Sequence, residues 1–259
     1  MLLDTDMFGQ VYDKVRDSIQ LLKDFEPDDG YYLAFSGGKD SICIKRLADM
    51  ADVKYDAHYS VTTIDPPELV RFIRKEHPDV KFDHPEVPFL RKMETRGFPQ
   101  RQRRWCCELY KERGGTGRKV VTGVRKAESA KRAGRRAVEI CYKDKSKTYV
   151  NPVINWSDED VWEFIKKENI PYCSLYDEGW TRLGCLMCPM STGKSRMREA
   201  NRYPRYTKLF IKAFEGIYKH KKETGLVSVD RWKDGEEMFW WWMREDRKSE
   251  DPDQTVLFE

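Results

Sequence analysis

The stretch that most narrows the fold begins at Tyr31. The apolar pentad Tyr31-Tyr32-Leu33-Ala34-Phe35 runs directly into Ser36-Gly37-Gly38-Lys39-Asp40-Ser41 and then into a helix-forming segment over residues 42–50. A short apolar run bounded by a glycine turn reads as a buried strand, and strand, turn and helix in that order make an α/β unit. Adjacent glycines let a backbone close around oxygen atoms without side-chain clash. The helix start that follows offers N–H groups and the positive end of its dipole. Lys39 adds a full positive charge, Ser36 and Ser41 add hydroxyl donors, and Asp40 offers a carboxylate to Mg2+ bridging phosphates. Gly-Gly alone is common turn punctuation. The whole hexapeptide, placed between strand and helix, reads as a phosphate cradle.

What surrounds it repeats the alternation. A second strand is expected over residues 55–61, a helix opened by Pro66-Pro67 and running to about Glu76, a third strand at residues 80–82, and a further strand at Lys119-Val120-Val121-Thr122. Alternating strands and helices predict a parallel sheet covered on both faces. Upstream, Met7, Val11, Val15, Ile19 and Leu22 recur at spacings of four and three, the stripe of an amphipathic lead-in helix. Ser157 with Asp160 three residues later predicts a capped helix start ahead of Val161, Trp162 and Ile165, ending before Pro171. Residues 93–117 are polar, glycine-bearing and aperiodic, and predict a long mobile excursion from the sheet. Beyond Gly184 the chain is rich in Arg, Lys and aromatics, with a helix expected from Tyr206 to Lys221 and an aromatic run Met238-Phe239-Trp240-Trp241-Trp242-Met243. The expected fold class is α/β: a doubly wound, mostly parallel sheet over residues 1–180, with a mainly helical C-terminal extension over 181–259.

A chain of 259 residues can bury a substantial core, so it needs no disulfide or metal merely to stay folded. Its apolar runs fall far short of the roughly 20 residues that cross a bilayer, and the acidic start Met1-Leu2-Leu3-Asp4 lacks a basic leader. The expectation is a cytoplasmic protein with no membrane partner. Seven cysteines, an odd number, suit a reducing compartment in which thiols are free for metal binding or chemistry. The net charge of +4 conceals an asymmetry: residues 91–147 carry +13 and the remainder −9. Such a basic stretch is either solvated surface or a surface for phosphates and polyanions.

Ser36-Gly37-Gly38-Lys39-Asp40-Ser41 matches the signature of the PP-loop ATP pyrophosphatases, and its surroundings resemble the phosphoadenosine phosphosulfate (PAPS) reductase branch of that superfamily from about Tyr31 to Pro189. The segment from Val121 through Gly123-Val124-Arg125 to Glu128-Ser129 is similar to that branch's Gly-Val-Arg and Glu-Ser element. Asn151-Pro152-Val153-Ile154-Asn155-Trp156 with Asp160-Val161-Trp162 resembles its Pro-Ile and Val-Trp element, and Leu175-Tyr176-Asp177 leads on to Gly184-Cys185. The resemblance implies an adenine nucleotide alpha hydrolase-like fold and a ligand that is ATP, adenylyl sulfate (APS) or PAPS. It further implies nucleotide contacts from residues 36–41, Gly123 and Arg125, with Lys39, Asp40 and Arg125 as the catalytic set. Thr192-Gly193-Lys194-Ser195 imitates the end of a Walker A loop, but Cys188 stands where that motif requires glycine.

Cys106-Cys107 and Cys185-Leu186-Met187-Cys188 are the informative thiols. A Cys-x-x-Cys pair grips one metal centre; adjacent cysteines are awkward ligands for a single tetrahedral zinc and easier for a cluster of several irons. Iron–sulfur, zinc and metal-free thiols all stay open on residue type alone. The pattern closely resembles the one that assimilatory adenylyl-sulfate reductases use for a 4Fe-4S cluster, which implies Cys106, Cys107, Cys185 and Cys188 as its ligands. Cys43, Cys141 and Cys173 lack a pairing pattern and read as small buried hydrophobes.

The chain departs from the reductases in one respect that matters. They carry a nucleophilic cysteine near the C-terminus, whereas the last cysteine here is Cys188 and the sequence ends Gln254-Thr255-Val256-Leu257-Phe258-Glu259. Thr62-Thr63-Ile64-Asp65-Pro66-Pro67 also replaces their Asp-Thr-Gly. The leading expectation is therefore an ATP-dependent enzyme that adenylates an acceptor for sulfur transfer. Its acceptor would be DNA or tRNA and its partner a cysteine desulfurase or another sulfur donor. Arg101, Arg103, Arg104, Arg132, Arg135 and Arg136 would meet a nucleic-acid backbone, with Trp105 either stacking on a base or serving as packing. The alternatives are a sulfonucleotide reductase using an external thiol and a non-catalytic nucleic-acid-binding module.

Overall fold

The computed structural model describes residues 2–5, 9, 11–225 and 230–244. Met7 and residues 254–259 lie outside them. The chain divides into two compact units, the first made of residues 1–61, 65–85 and 110–184, the second of residues 62–64, 86–109 and 185–259. Residues 86–109 thus group with the C-terminal region, so the chain crosses between units more than once.

In the first unit β1 (Leu3–Thr5) pairs antiparallel with β2 (Val11–Asp13). Helix α1 (Lys14–Asp24) starts only after Asp13, whose carboxylate accepts the N–H groups of Val15 and Arg16 at 2.9 and 3.3 Å. The apolar stripe at Val11 therefore belongs to a strand, because the cap fixes the helix start two residues later. The chain continues through β3 (Tyr31–Phe35), α2 (Lys39–Ala51), β4 (Tyr55–Ser60), α3 (Pro67–Glu76) and β5 (Lys81–Asp83). All three strands and both helices fall where periodicity predicts them.

After α4 (Phe89–Arg96) and α5 (Trp105–Tyr110) come β6 (Lys119–Val121), the short α6 (Ala130–Ala133), β7 (Val138–Ile140), β8 (Thr148–Val150) and α7 (Asp158–Lys167). Six strands form one sheet in the order β5-β4-β3-β6-β8-β7, parallel throughout except for the β7–β8 pair. One face carries Tyr31, Leu33, Phe35, Ala57, Tyr59, Val121 and Val150, all buried in a core with Leu22, Ile42, Leu47, Trp156 and Phe164. The other face mixes buried Tyr32 and Val120 with polar groups: Tyr32 stacks on His58 with centroids 4.3 Å apart, and its hydroxyl donates to Asp83 at 3.1 Å.

This order places β3 between β4 and β6, so the chain leaves β3 toward one side of the sheet and returns on the other. The crevice at the carboxyl ends of strands flanking such a switch point is the habitual ligand position of open α/β sheets. Here it is lined by the segments that follow β3, β6 and β8.

In the second unit α8 (Gly193–Arg202), α9 (Pro204–Glu223) and α10 (Gly235–Met243) join α4 and most of α5. Phe210, Phe214, Met238, Phe239, Trp242 and Met243 are buried, and the Trp242 indole N–H donates to the Pro99 carbonyl at 2.8 Å. The expected excursion over residues 93–117 takes in the second half of α4 and all of α5. Phe89 and Met93, one turn apart on α4, are buried, but helices of eight and six residues are too short to write a periodic signal. The Walker-like Thr192-Gly193-Lys194-Ser195 proves to be a helix start, with the Thr192 hydroxyl accepting the Ser195 N–H at 3.2 Å.

Candidate active site

The loop leaves β3 at Ser36 and enters α2 at Lys39. Gly37 has φ +71°, the left-handed region, and lies against α3: a Cβ there would sit 2.7 Å from Leu69 Cδ1 and from Ile73 Cγ1. Only glycine meets both conditions. Gly38 is the N-cap of α2 and has no side chain to close the helix start. The Lys39 N–H donates to the Tyr176 hydroxyl at 2.9 Å, and the Ser41 hydroxyl donates to the Gly38 carbonyl at 2.9 Å while lying 3.2 Å from the Ser36 hydroxyl. Burial pushes the Tyr176 phenol upward, so it stays neutral.

The turn after β6 closes in from the adjacent strand. Gly123 packs so near the loop that a Cβ on it would lie 3.0 Å from the Asp40 backbone carbon. Two residues on, buried Arg125 directs its Nε to Asp40 Oδ1 at 2.6 Å, its Nη2 to Asp158 Oδ1 at 2.8 Å and its Nη1 to the Trp156 carbonyl at 3.4 Å. Lys39 Nζ lies 3.0 Å from the same Asp158 oxygen and 3.9 Å from Asp40 Oδ2. Two cations and two carboxylates thus form one cluster at the carboxyl edge of β3 and β6. For Arg125, burial works against the charge, yet Asp40 and Asp158 outweigh it and raise its pKa. For Asp158, burial favours the neutral acid, but Lys39 and Arg125 hold its carboxyl below the usual range.

Ser36, Gly37, Gly38, Lys39, Asp40, Ser41, Gly123 and Arg125 are therefore brought together. Tyr176, of the Leu175-Tyr176-Asp177 segment, joins them through its hydroxyl, and Asp158, which the sequence does not single out, joins them as well. Asp158 is one of three acids in the first turn of α7, where acids are favoured by the helix dipole anyway, so nothing in the sequence marks it.

Cys106, Cys107, Cys185 and Cys188 all lie in the second unit as half-buried thiols outside any disulfide. The Cys106 thiol is pushed far upward by its hydrogen bond with Cys107, then by burial and the nearby Cys107, Cys185 and Cys188 sulfurs. The four are neighbours, yet among the described residues no group of three or more His, Cys, Asp or Glu side chains is gathered closely enough to hold a metal ion. Met187, between the paired cysteines, has φ +56°, and its N–H donates to the buried Glu199 carboxylate. Burial raises that carboxyl to about 7. Cys43, Cys141 and Cys173 are buried, as expected.

The basic stretch is split between the units and partly neutralised. Arg132 pairs with Glu128, Arg135 with Glu139, and Arg118 with Asp56 at 2.5 Å. Arg101, Arg103 and Arg104 are exposed, and Arg101 donates to the Ser191 carbonyl at 3.2 Å. Trp105 stacks on Phe89 with centroids 5.6 Å apart, a packing role. No helix among the described residues is long and apolar enough to cross a membrane.

Residues 30–191 match the family model of the phosphoadenosine phosphosulfate reductase domain. An uncharacterised protein of Methanocaldococcus jannaschii is 29% identical over 220 residues, which cover 78% of this chain and 45% of that protein. The adenosine 5'-phosphosulfate reductase of Oceanobacillus iheyensis is 27% identical over 168 residues, covering 61% of this chain and 68% of that protein. The chain spans about half the length of the two M. jannaschii relatives it matches. Among solved structures, the phosphoadenylyl-sulfate reductase of Candida auris, crystallised as a phosphate complex, aligns with a TM-score of 0.50 at 18% identity over 65% of this chain and 88% of that one. That likeness is one of fold.

Proposed function

This chain belongs to the phosphoadenosine phosphosulfate reductase domain family, and from that premise we propose that it is an adenine-nucleotide-activating enzyme of sulfur transfer. The observation that carries the reading is the convergence of Lys39 and Arg125 on the glycine-capped start of α2, at the switch point of the sheet. ATP, entering as its Mg2+ complex, would lay its phosphates along residues 36–41. An acceptor oxygen attacks the α-phosphorus, the bond from that phosphorus to the bridging oxygen breaks, and pyrophosphate leaves. A sulfur nucleophile then bonds to the activated acceptor centre while the acceptor's oxygen departs with AMP. Lys39 and Arg125 stabilise the charge that grows on the phosphoryl oxygens, the dominant contribution in phosphoryl and nucleotidyl chemistry. Asp40 is the loop carboxylate available to the nucleotide's Mg2+.

By residue type the donor set of Cys106, Cys107, Cys185 and Cys188 suits a 4Fe-4S cluster: four cysteine sulfurs outside any disulfide, all in one unit, which would have to draw closer together around the irons. When bound, such a cluster supplies soft iron on which sulfur can be held. Exposed Arg101, Arg103 and Arg104 suit a nucleic-acid acceptor such as DNA or tRNA, and the sulfur would come from a cysteine desulfurase or another donor.

The relatives named adenosine 5'-phosphosulfate reductase support a second reading, reduction of a sulfonucleotide with an external thiol. Anaerobically purified protein incubated with ATP, APS or PAPS separates the two. AMP and pyrophosphate formed from ATP, and lost in Lys39→Ala, support activation; sulfite released from a sulfonucleotide transfers the assignment to the reductase. Binding without turnover of any of the three refutes both and leaves a binding module.

A further inference from the structure

Both cations beside the loop share one partner atom. Asp158 Oδ1 lies 3.0 Å from Lys39 Nζ and 2.8 Å from Arg125 Nη2. The side chains of Lys39 and Arg125 are 8% and 3% exposed, whereas that of Asp158 is 55% exposed. The carboxylate therefore reaches in from the solvent side over two buried cations, the side from which any phosphate must arrive. Asp158 is not required to cap α7. Ser157 and Asp160 complete that reciprocal cap themselves, the Ser157 hydroxyl accepting the Asp160 N–H at 3.1 Å and the Asp160 carboxylate accepting the Ser157 N–H at 2.8 Å. Asp40 already supplies Arg125 with one carboxylate, so Asp158 makes the cluster electrically neutral at the place where a polyanion is to bind.

We propose that Asp158 is a built-in competitor for the phosphate site. Its carboxylate occupies Lys39 and Arg125 until the phosphates of a nucleotide displace it. A ligand with several phosphoryl charges, such as ATP or pyrophosphate, outcompetes one carboxylate; AMP, with a single phosphate, does so poorly. The device lowers every phosphate affinity alike, so that a polyphosphate still binds while the more weakly held monophosphate product is released, Asp158 re-engaging the cations as AMP leaves. The proposal rests on the reading of residues 36–41 as a phosphate loop.

The test is calorimetric titration of inorganic pyrophosphate, ATP and AMP into wild-type protein, Asp158→Asn, Asp158→Ser and Lys39→Ala, with thermal unfolding of each. Removing the carboxylate should tighten pyrophosphate binding about tenfold or more, the scale of one charged hydrogen bond lost from the competing side, and should tighten ATP and AMP by a similar factor, since each must uncover the same cations. The same variants should unfold at a lower temperature, since Lys39 and Arg125 lose a partner. Affinity rising while stability falls is the signature of competition. A carboxylate that merely braces the site would make both fall, and that result, in whichever of the two variants folds, overturns the proposal. Lys39→Ala tests the premise separately: if it binds pyrophosphate as tightly as wild type, the phosphate-loop reading fails as well.

Discussion

Replacing Gly37 with alanine should unfold the phosphate loop from within, and the structure sets the size of the effect. An alanine would have to hold φ +71°, which costs an L-residue about 1–2 kcal/mol. Its Cβ would also press to 2.7 Å against Leu69 Cδ1 and Ile73 Cγ1. Both are buried on the inner face of α3 and cannot swing into solvent. Overpacking of that kind costs about 1–3 kcal/mol. The sum, about 2–5 kcal/mol, corresponds to a fall of roughly 5–15 °C in unfolding midpoint for a chain of this size. Gly38→Ala is the internal control. Gly38 has φ −79°, and the nearest atoms to a Cβ there are Ser36 Oγ at 3.4 Å and Tyr176 Oη at 3.5 Å, so only the poorer N-cap remains, at a cost of about 1 kcal/mol or less. Urea unfolding of both variants, with Ile73→Ala added to Gly37→Ala, isolates the steric part, because contacting residues couple by about 0.5–3 kcal/mol in such a cycle. A Gly37→Ala protein as stable as Gly38→Ala, or one whose loss simply adds to that of Ile73→Ala, would refute the reasoning.

Protein purified without oxygen should be brown and carry about four irons and four acid-labile sulfides per chain; Cys106→Ser or Cys188→Ser should lose them, and stoichiometric zinc without sulfide would decide for a structural metal. Replacing Arg101, Arg103 and Arg104 together by Ser should weaken binding to DNA or tRNA and flatten its salt dependence by up to about three charges' worth, read from affinities at several salt concentrations. An unchanged slope removes these residues from any nucleic-acid contact. Acid unfolding should expose Asp56. Burial alone would raise its pKa, but hydrogen bonds from Arg118 and His58 hold the carboxyl well below the usual range. The stability it contributes is complete above pH ~4, the ordinary carboxylate range, and is lost as pH falls below that. Asp56→Asn should flatten that acid limb, and an unaltered limb in urea titrations between pH 2 and 5 would exclude the assignment.

Much of the first unit was legible because its signals are local. The pentad at Tyr31, the glycines at 37 and 38, and the Ser157–Asp160 cap each state their structure within a few residues. The lead-in helix was misjudged at Val11 because an apolar spacing of four does not say where a strand ends and a cap begins. Helix α4 was missed because it packs on α9, far along the chain, rather than on a stripe of its own, and the six residues of α5 are too few to carry one. At the site, Arg125 was reached through the resemblance of its Gly123-Val124-Arg125 segment, but its engagement of both Asp40 and Asp158 was not. Ion pairing across 85 and 33 residues is a property of the closed sheet, and an acid at the start of a helix has an adequate local reason to be there. The four cysteines announced themselves by type and spacing, whereas the Glu199 carboxylate under Met187 had no sequence signal at all.

The strand order also dictates the sequence of events on the ribosome. Tyr32 pairs on one side with Asp56 and on the other with Val120. The first three strands of the sheet are complete when Asp83 has emerged, but β3 keeps one edge unsatisfied until β6 arrives at Val121. At about 5–20 residues per second those roughly 40 residues take about 2–8 s. Throughout that interval a nascent edge carrying Tyr31, Leu33 and Phe35 is open to pairing with another chain. Weakening β6 at Val120 or Val121 therefore prolongs the exposure of newly made protein, and the damage falls on the yield of soluble chains during translation more heavily than on the melting point of those that have folded.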